Sequence, residues 1–178
     1  MVFPGYARQS GPDPVNAQDL STKNYVDRCA FFSITGNGST QAIPSASITK
    51  VTGWAAPSYN IGSGTWNSST SVYTVGVRGL YRVTCNMGWQ LYTAWATPNT
   101  VFSANLYLNG SQVAAAGGYA VNLSVGNYLP SSVTKTMLCV PGDQIDFRAG
   151  NGHPNAVQQL ALQAFYTFAE IEQIAIPV

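Results

Sequence analysis

The chain has 178 residues and a formal net charge of +1, from eight basic and seven acidic side chains, and only 8% of its residues are charged where a globular chain carries roughly a quarter. Such a surface creates no field that would draw in nucleic acid or an anionic membrane, and both are excluded as partners. The length fits one globular domain with an N-terminal arm, and the many Gly, Ser, Thr, Asn and Tyr residues point to a β protein with uncharged loops.

No apolar run is long enough for a membrane span. Met1-Val2-Phe3-Pro4-Gly5-Tyr6 lacks the basic start and apolar centre of a secretory signal, so the product is expected to stay in the cytosol where it is made. Residues 1–15 contain Pro4, Gly5, Gly11, Pro12 and Pro14, which rule out a continuous helix and leave an extended arm whose order depends on a partner. Asn16 then caps a short helix, with Asp19 in favourable contact with its N-terminus, running to about Asp27 or Cys29. Isolated helices below roughly 12–15 residues are marginal in water, so this one needs a surface to lean on. Leu20, Tyr25 and Val26 do not make a coiled-coil seam. The division is therefore an arm and helix at 1–29 and a domain at 30–178.

The stretch from Asp13 to Asp27 has the form Asp-Pro-x-x-x-Gln-Asp-x-x-Thr-Lys-x-Tyr-Val-Asp. It resembles the short segment that precedes exposed modules in bacteriophage fibre and head-fibre proteins. The resemblance implies attachment to a virion, through Asn16, Asp19, Leu20, Lys23, Tyr25 and Val26.

From Ala30 onward the pattern changes to two-residue alternation broken by turns, the pattern of a sandwich or jelly roll. Leu80 to Leu91 places Tyr81, Val83, Cys85, Met87, Trp89 and Leu91 inward, with Arg82, Thr84, Asn86 and Gln90 outward. Ala104–Leu108 leads into Asn109-Gly110, the dipeptide that best tolerates the positive φ angles of a tight hairpin, and Gln112–Ala114 continues beyond it. Lys135–Val140 and Gln144–Arg148 are a second pair of strands around the corner Pro141-Gly142-Asp143.

A last strand is predicted from Leu160 to Glu170. Leu160, Leu162, Ala164, Tyr166 and Phe168 line one face, and Ala161, Phe165 and Ala169 put apolar groups on the other. A strand apolar on both faces requires burial on both. A neighbouring copy of the chain would cover the second face, which makes Leu162, Ala164, Tyr166 and Phe168 candidates for a trimer interface. A central strand beneath a long loop gives the same pattern.

Three segments in order resemble the jelly-roll family of complement component one q and tumour necrosis factor. Val72 to Val83 is similar to its aromatic, short loop and Gly-aliphatic-Tyr sequence at the start of a strand. Leu106-Tyr107-Leu108-Asn109-Gly110 is similar to its Leu-x-x-Asn-Gly hairpin, and Met137 to Ile145 to its Leu-x-x-Gly-Asp-x-Val strand pair. Ala30-Phe31-Phe32-Ser33 and Leu162-Gln163-Ala164-Phe165-Tyr166 fit the first and last strands. The resemblance implies an all-β sandwich of about ten strands forming a tight trimer. The acidic positions that bind calcium in some members have no counterparts here, so no metal binding is carried over.

Cys29, Cys85 and Cys139 are odd in number and lack Cys-x-x-Cys spacing, which disfavours both a disulfide framework and a zinc site. They are expected to be buried free thiols, with Cys29, at the junction of arm and domain, the least determined.

The seven carboxylates are Asp13, Asp19, Asp27, Asp143, Asp146, Glu170 and Glu172, with none between Arg28 and Gly142. A glycosidase needs two carboxylates flanking a sugar. Asp143 reads instead as a turn cap, and Asp146 as an outward strand residue beside Arg148. His153 is the single histidine, in a Gly/Asn/Pro loop, and cannot make a multi-histidine metal site. No Gly-x-Ser-x-Gly elbow occurs. The expectation is no catalytic residue and no cofactor.

Trp54, Tyr59, Trp66, Tyr92, Trp95, Tyr119 and Tyr128 lie in or beside loops rich in Asn, Ser and Thr, a composition suited to stacking on sugar rings. Trp54, Tyr59, Trp66 and Trp95 are therefore the candidate contacts to a host surface glycan. The competing and favoured reading is that these rings cover the core or subunit contacts. The functional expectation is a non-enzymatic, surface-exposed trimeric appendage of a phage virion. A capsid decoration or head fibre is favoured over a short tail fibre, because the chain passes from Met1 to the domain with no long shaft. The alternative is a tail-fibre receptor-binding protein that recognises host cell-envelope glycan.

Overall fold

The computed structural model describes residues 30–90, 100–120 and 128–175. The predicted helix, the attachment residues Asn16 to Val26, Cys29, Leu91, Tyr92 and Trp95 lie outside the described residues. Within them the chain is all-β. Its thirteen strands are β1 (Phe31–Thr35), β2 (Thr40–Ile43), β3 (Ser47–Lys50), β4 (Tyr59–Ile61), β5 (Thr65–Asn67), β6 (Val72–Thr74), β7 (Gly79–Gln90), β8 (Thr100–Leu108), β9 (Ser111–Ala120), β10 (Tyr128–Cys139), β11 (Gln144–Asn151), β12 (Gln158–Ala161) and β13 (Phe168–Ala175). No helix long and apolar enough to cross a membrane occurs among these residues.

Two antiparallel sheets face each other. In the first, the order is β2-β12-β7-β13-β1-β4, with β10 along the other edge of β7. In the second, the order is β5-β6-β11-β8-β9, with β3 beside the far half of β11. The predicted alternation of β7 holds: Tyr81, Val83, Cys85, Met87 and Trp89 are all fully buried. Facing them from the second sheet are Phe102, Ala104, Leu106, Ile145, Phe147 and Ala149. Trp89 packs on Phe102 with centroids 4.9 Å apart, and Phe32 on Tyr73 at the same distance. Inward-facing rings from both sheets thus form one core, as sandwich packing requires.

The β8–β9 hairpin turns at Asn109 and Gly110, with φ of 52° and 77°, the left-handed pair that a two-residue hairpin demands. The Pro141-Gly142 corner behaves differently from a hairpin. β10 pairs with β7 in one sheet and β11 with β8 in the other, so the corner carries the chain across the sandwich.

The predicted strand from Leu160 to Glu170 is broken. β12 stops at Ala161, residues 162–167 turn, and β13 begins at Phe168. The break is held from outside the segment: the Thr167 hydroxyl donates to the Ala161 carbonyl at 2.6 Å and accepts from the Gly88 amide at 3.1 Å. The last strand is therefore Phe168–Ala175, not the Leu162–Tyr166 stretch matched to it by sequence.

The sandwich has two distinct ends. Ala30, where the N-terminal arm joins, exchanges hydrogen bonds with Gln173. It lies at the same end as Gly79, the Asn109-Gly110 turn and the Pro141–Asp143 corner. The opposite end holds Gln90, Thr100, Ala120 and Tyr128.

Candidate self-association face

The outer surface of β4-β1-β13-β7-β10 is built by every second residue of those strands, the ones the alternation leaves out of the core. The registers place Ile61, Phe31, Glu172, Arg82 and Thr136 in one row and Tyr59, Ser33, Glu170, Thr84 and Thr134 in the next. A third row is Thr35, Phe168, Asn86 and Ser132. Along these rows the charged side chains are Arg82, Glu170 and Glu172, and Arg82 is paired with Glu172. Thr84 and Thr134 hydroxyls bond across strands at 3.0 Å. Among the remaining Ser, Thr, Asn and Glu170 side chains, Tyr59, Ile61, Leu138 and Ile174 are exposed apolar groups, and Phe31 tilts against Tyr59 at 5.9 Å.

Towards the end remote from Ala30 the face becomes aromatic. Tyr166 stacks on Tyr128, Phe165 tilts against Tyr166 at 4.3 Å, and Phe165 is 71% exposed. The ledge is fixed from below, because the Asn86 side-chain amide donates to the Tyr166 carbonyl at 2.5 Å.

The four predicted interface residues do not share a strand face. Leu162 is buried inside its own chain, filling the space above Gly53, where a Cβ would meet its Cδ1 at 2.1 Å. Ala164 is exposed in the turn, Tyr166 belongs to the ledge, and Phe168 opens β13, half-buried. Phe31, Ile61 and Leu138 also lie on this face and were not singled out from the sequence, and Tyr128, weighed there as a core or subunit-contact ring, joins them. Their signal was present only as short alternations, Tyr59-Asn60-Ile61 above all, lying among Gly and Ser.

Two of the four candidate glycan rings are structural. Trp54 packs edge-on against Phe147 and donates its indole N–H to the Val51 carbonyl at 2.8 Å. Trp66 leans on Phe32 at 5.2 Å, and its indole nitrogen is buried with no hydrogen-bond partner. Tyr59 is exposed but lies on the sheet face, and Trp95 is outside the described residues.

The acidic and basic residues weighed for catalysis are engaged in holding the fold. Asp143 accepts from the Val140 amide at 2.8 Å and from the Asn109 side chain at 2.7 Å. Asp146 accepts from Arg148 Nε at 2.7 Å and lies 3.6 Å from Lys50 Nζ. Its hydrogen bond raises the Arg148 pKa, against the opposing effect of burial, and the guanidinium caps the Tyr107 ring at 3.7 Å. His153 Nδ1 accepts from the Asn155 and Ala156 amides, stapling its loop. Among the described residues no three His, Cys, Asp or Glu side chains converge as metal ligands. Cys85 and Cys139 are buried free thiols; burial pushes both up, Cys139 to about 11, which suppresses the reactive thiolate.

No family model matches the chain, and no curated protein does. Solved structures do. The chain is similar to Eiger TNF from S. frugiperda, at a TM-score of 0.66 and 13% identity over 85% of this chain and 96% of that one. It is also similar to murine APRIL at pH 8.0 and at pH 5.0, with TM-scores of 0.57 and 0.58 and identities of 12% and 13%, covering 83% of this chain and 100% of each. At this identity the likeness shows the fold: the chain is a jelly roll of the tumour-necrosis-factor type.

Proposed function

We propose that the chain is a non-enzymatic structural protein of a bacteriophage virion. It self-associates as a trimer through the outer face of β4-β1-β13-β7-β10, is held to other virion proteins by residues 1–29, and carries its opposite end outward. The observation that supports this best is that face itself. It spans five paired strands, its Arg82 is paired with Glu172 within the chain, and exposed Tyr59, Ile61, Leu138 and Ile174 stand on it among Thr and Ser side chains. Large exposed apolar side chains gathered on one sheet face mark an interaction surface, and a second and third copy supply a cover of matching chemistry. The sequence resemblance to trimeric jelly rolls points the same way.

The virion assignment rests on the resemblance of Asp13 to Asp27 to phage fibre and head-fibre segments. The position of Ala30 fits it, since an arm leaving one end frees the other. A capsid decoration or head fibre is the preferred placement, and a tail fibre binding host glycan is the alternative. The alternative loses two of its proposed sugar platforms, because Trp54 and Trp66 are packed on the core. Labelling of intact particles with antibody against residues 30–178, seen by electron microscopy, tests this. Many labels over the head support a decoration, label in a few copies on the tail supports the adhesin, and unlabelled particles remove the virion role.

A further inference from the structure

The second sheet carries a concave feature on its outer surface, at the end remote from Ala30. An open cleft of about 310 Å³ lies between β3, β8 and β11, bounded by Ser47, Ile48, Val101, Ser103, Gly150 and Gly152. Its floor is glycine backbone. A Cβ on Gly150 would lie 2.2 Å from Ser103 Oγ, and one on Gly152 2.8 Å from the Val101 carbonyl, so a side chain at either place would fill the cleft or push its walls apart. Ile48 and Val101, 46% and 38% exposed, form aliphatic walls.

The polar groups are held in place. Asn105, only 1% exposed, donates its amide to Ser103 Oγ at 2.9 Å. With one lone pair thus engaged, Ser103 keeps its own O–H to donate to a ligand. Ser47 Oγ donates to the Pro44 carbonyl at 2.8 Å and so retains acceptor capacity. The end of β11 is tied down by Asn151, whose amide donates to the Ile43, Pro44 and Ala156 carbonyls. Among the described residues no ionisable side chain lines the cleft, and the next cations along the strands, Lys50 and Arg148, are paired with Asp146.

We propose that this cleft binds a neutral carbohydrate, with one pyranose ring seated between Ile48 and Val101 and a ring hydroxyl accepting from Ser103. The volume is at the lower end of small-molecule sites, roughly 300–1,000 Å³. A charged ligand would meet no counter-charge among the described lining residues, and a purely apolar one would gain no hydrogen bond from Ser103. A sugar edge, with alternating C–H and O–H groups, satisfies both walls and floor. The site does not rest on self-association, because it lies on the other sheet.

The test is a titration of the full chain with glucose, galactose and N-acetylglucosamine, followed by amide NMR. The expected result is saturable shifts at Val101, Ser103, Gly150 and Gly152 with at least one sugar. Ser103→Ala should weaken binding by roughly fivefold, the equivalent of one hydrogen bond, and Ile48→Asp, at an exposed position, should weaken it further. No saturable shift with any of the three, shifts confined to other residues, or affinity unchanged in both variants would overturn the proposal. The native mass of each variant reports the oligomer separately, so failure here is distinguishable from failure of self-association.

Discussion

Tyr166 lies flat on Tyr128, with ring centroids 4.2 Å apart and planes 16° from parallel. One ring comes from the turn after β12 and the other from the first residue of β10, so two distant segments make one apolar ledge on the proposed contact face. Tyr166→Lys puts a solvated cation there and should shift the chain towards monomer, read as a fall in mass by light scattering after size exclusion. An unchanged mass would count against the ledge as a contact.

Gly88 lets Tyr166 reach the sheet. A Cβ at Gly88 would lie 2.4 Å from Tyr166 Cβ and 3.1 Å from its carbonyl oxygen, and the Gly88 amide also bonds Thr167. Gly88→Ala should therefore displace the turn and cost about 1–3 kcal/mol in urea unfolding. Gly118→Ala, with nothing within 4 Å of its added carbon, should stay within about 0.5 kcal/mol of the parent.

Asp146 is the shared anion of Lys50 and Arg148 and is nearly buried. Asp146→Asn keeps the shape but leaves two cations close together without their counter-charge. A loss of about 2 kcal/mol in stability is expected. Stability equal to the parent would show that solvent screens the cluster more than its burial implies.

The Cys139 thiol is neutral in the fold, with burial raising it from 9.0 to about 11. Between those values the unfolded chain has released a proton that the native chain retains, so stability falls as pH rises. Urea midpoints should decline from about pH 9 to about pH 11, and less steeply in Cys139→Ala once its own lower stability is allowed for. Iodoacetamide at pH 8 should spare Cys85 and Cys139 in the native state and label both on unfolding, as read by mass spectrometry.

What could be read from the sequence was what neighbouring residues decide. The alternation of β7 and the Asn109-Gly110 turn follow from side-chain period and backbone sterics, and both are found where the residues place them. The break at 162–167 could not be read, because Leu162 to Phe168 is mostly apolar and its turn is fixed by Thr167 bonding to a strand 79 residues away. The proposed contact face was only partly visible for the same reason: Tyr166 and Phe168, named from the sequence, lie on or beside it, while Phe31 and Ile61 join it through pairings between distant strands. Trp54 and Trp66 follow the favoured reading of core cover, although loop composition alone could not show which ring each folds back onto, Phe147 or Phe32.

The most direct measurement is the native mass of the full chain across a concentration series, by native mass spectrometry with light scattering as a check. Association through the β4-β1-β13-β7-β10 face as a trimer predicts a species of three times the 18.9 kDa chain mass, lost in Tyr166→Lys. A single species of one chain mass at every concentration would contradict it.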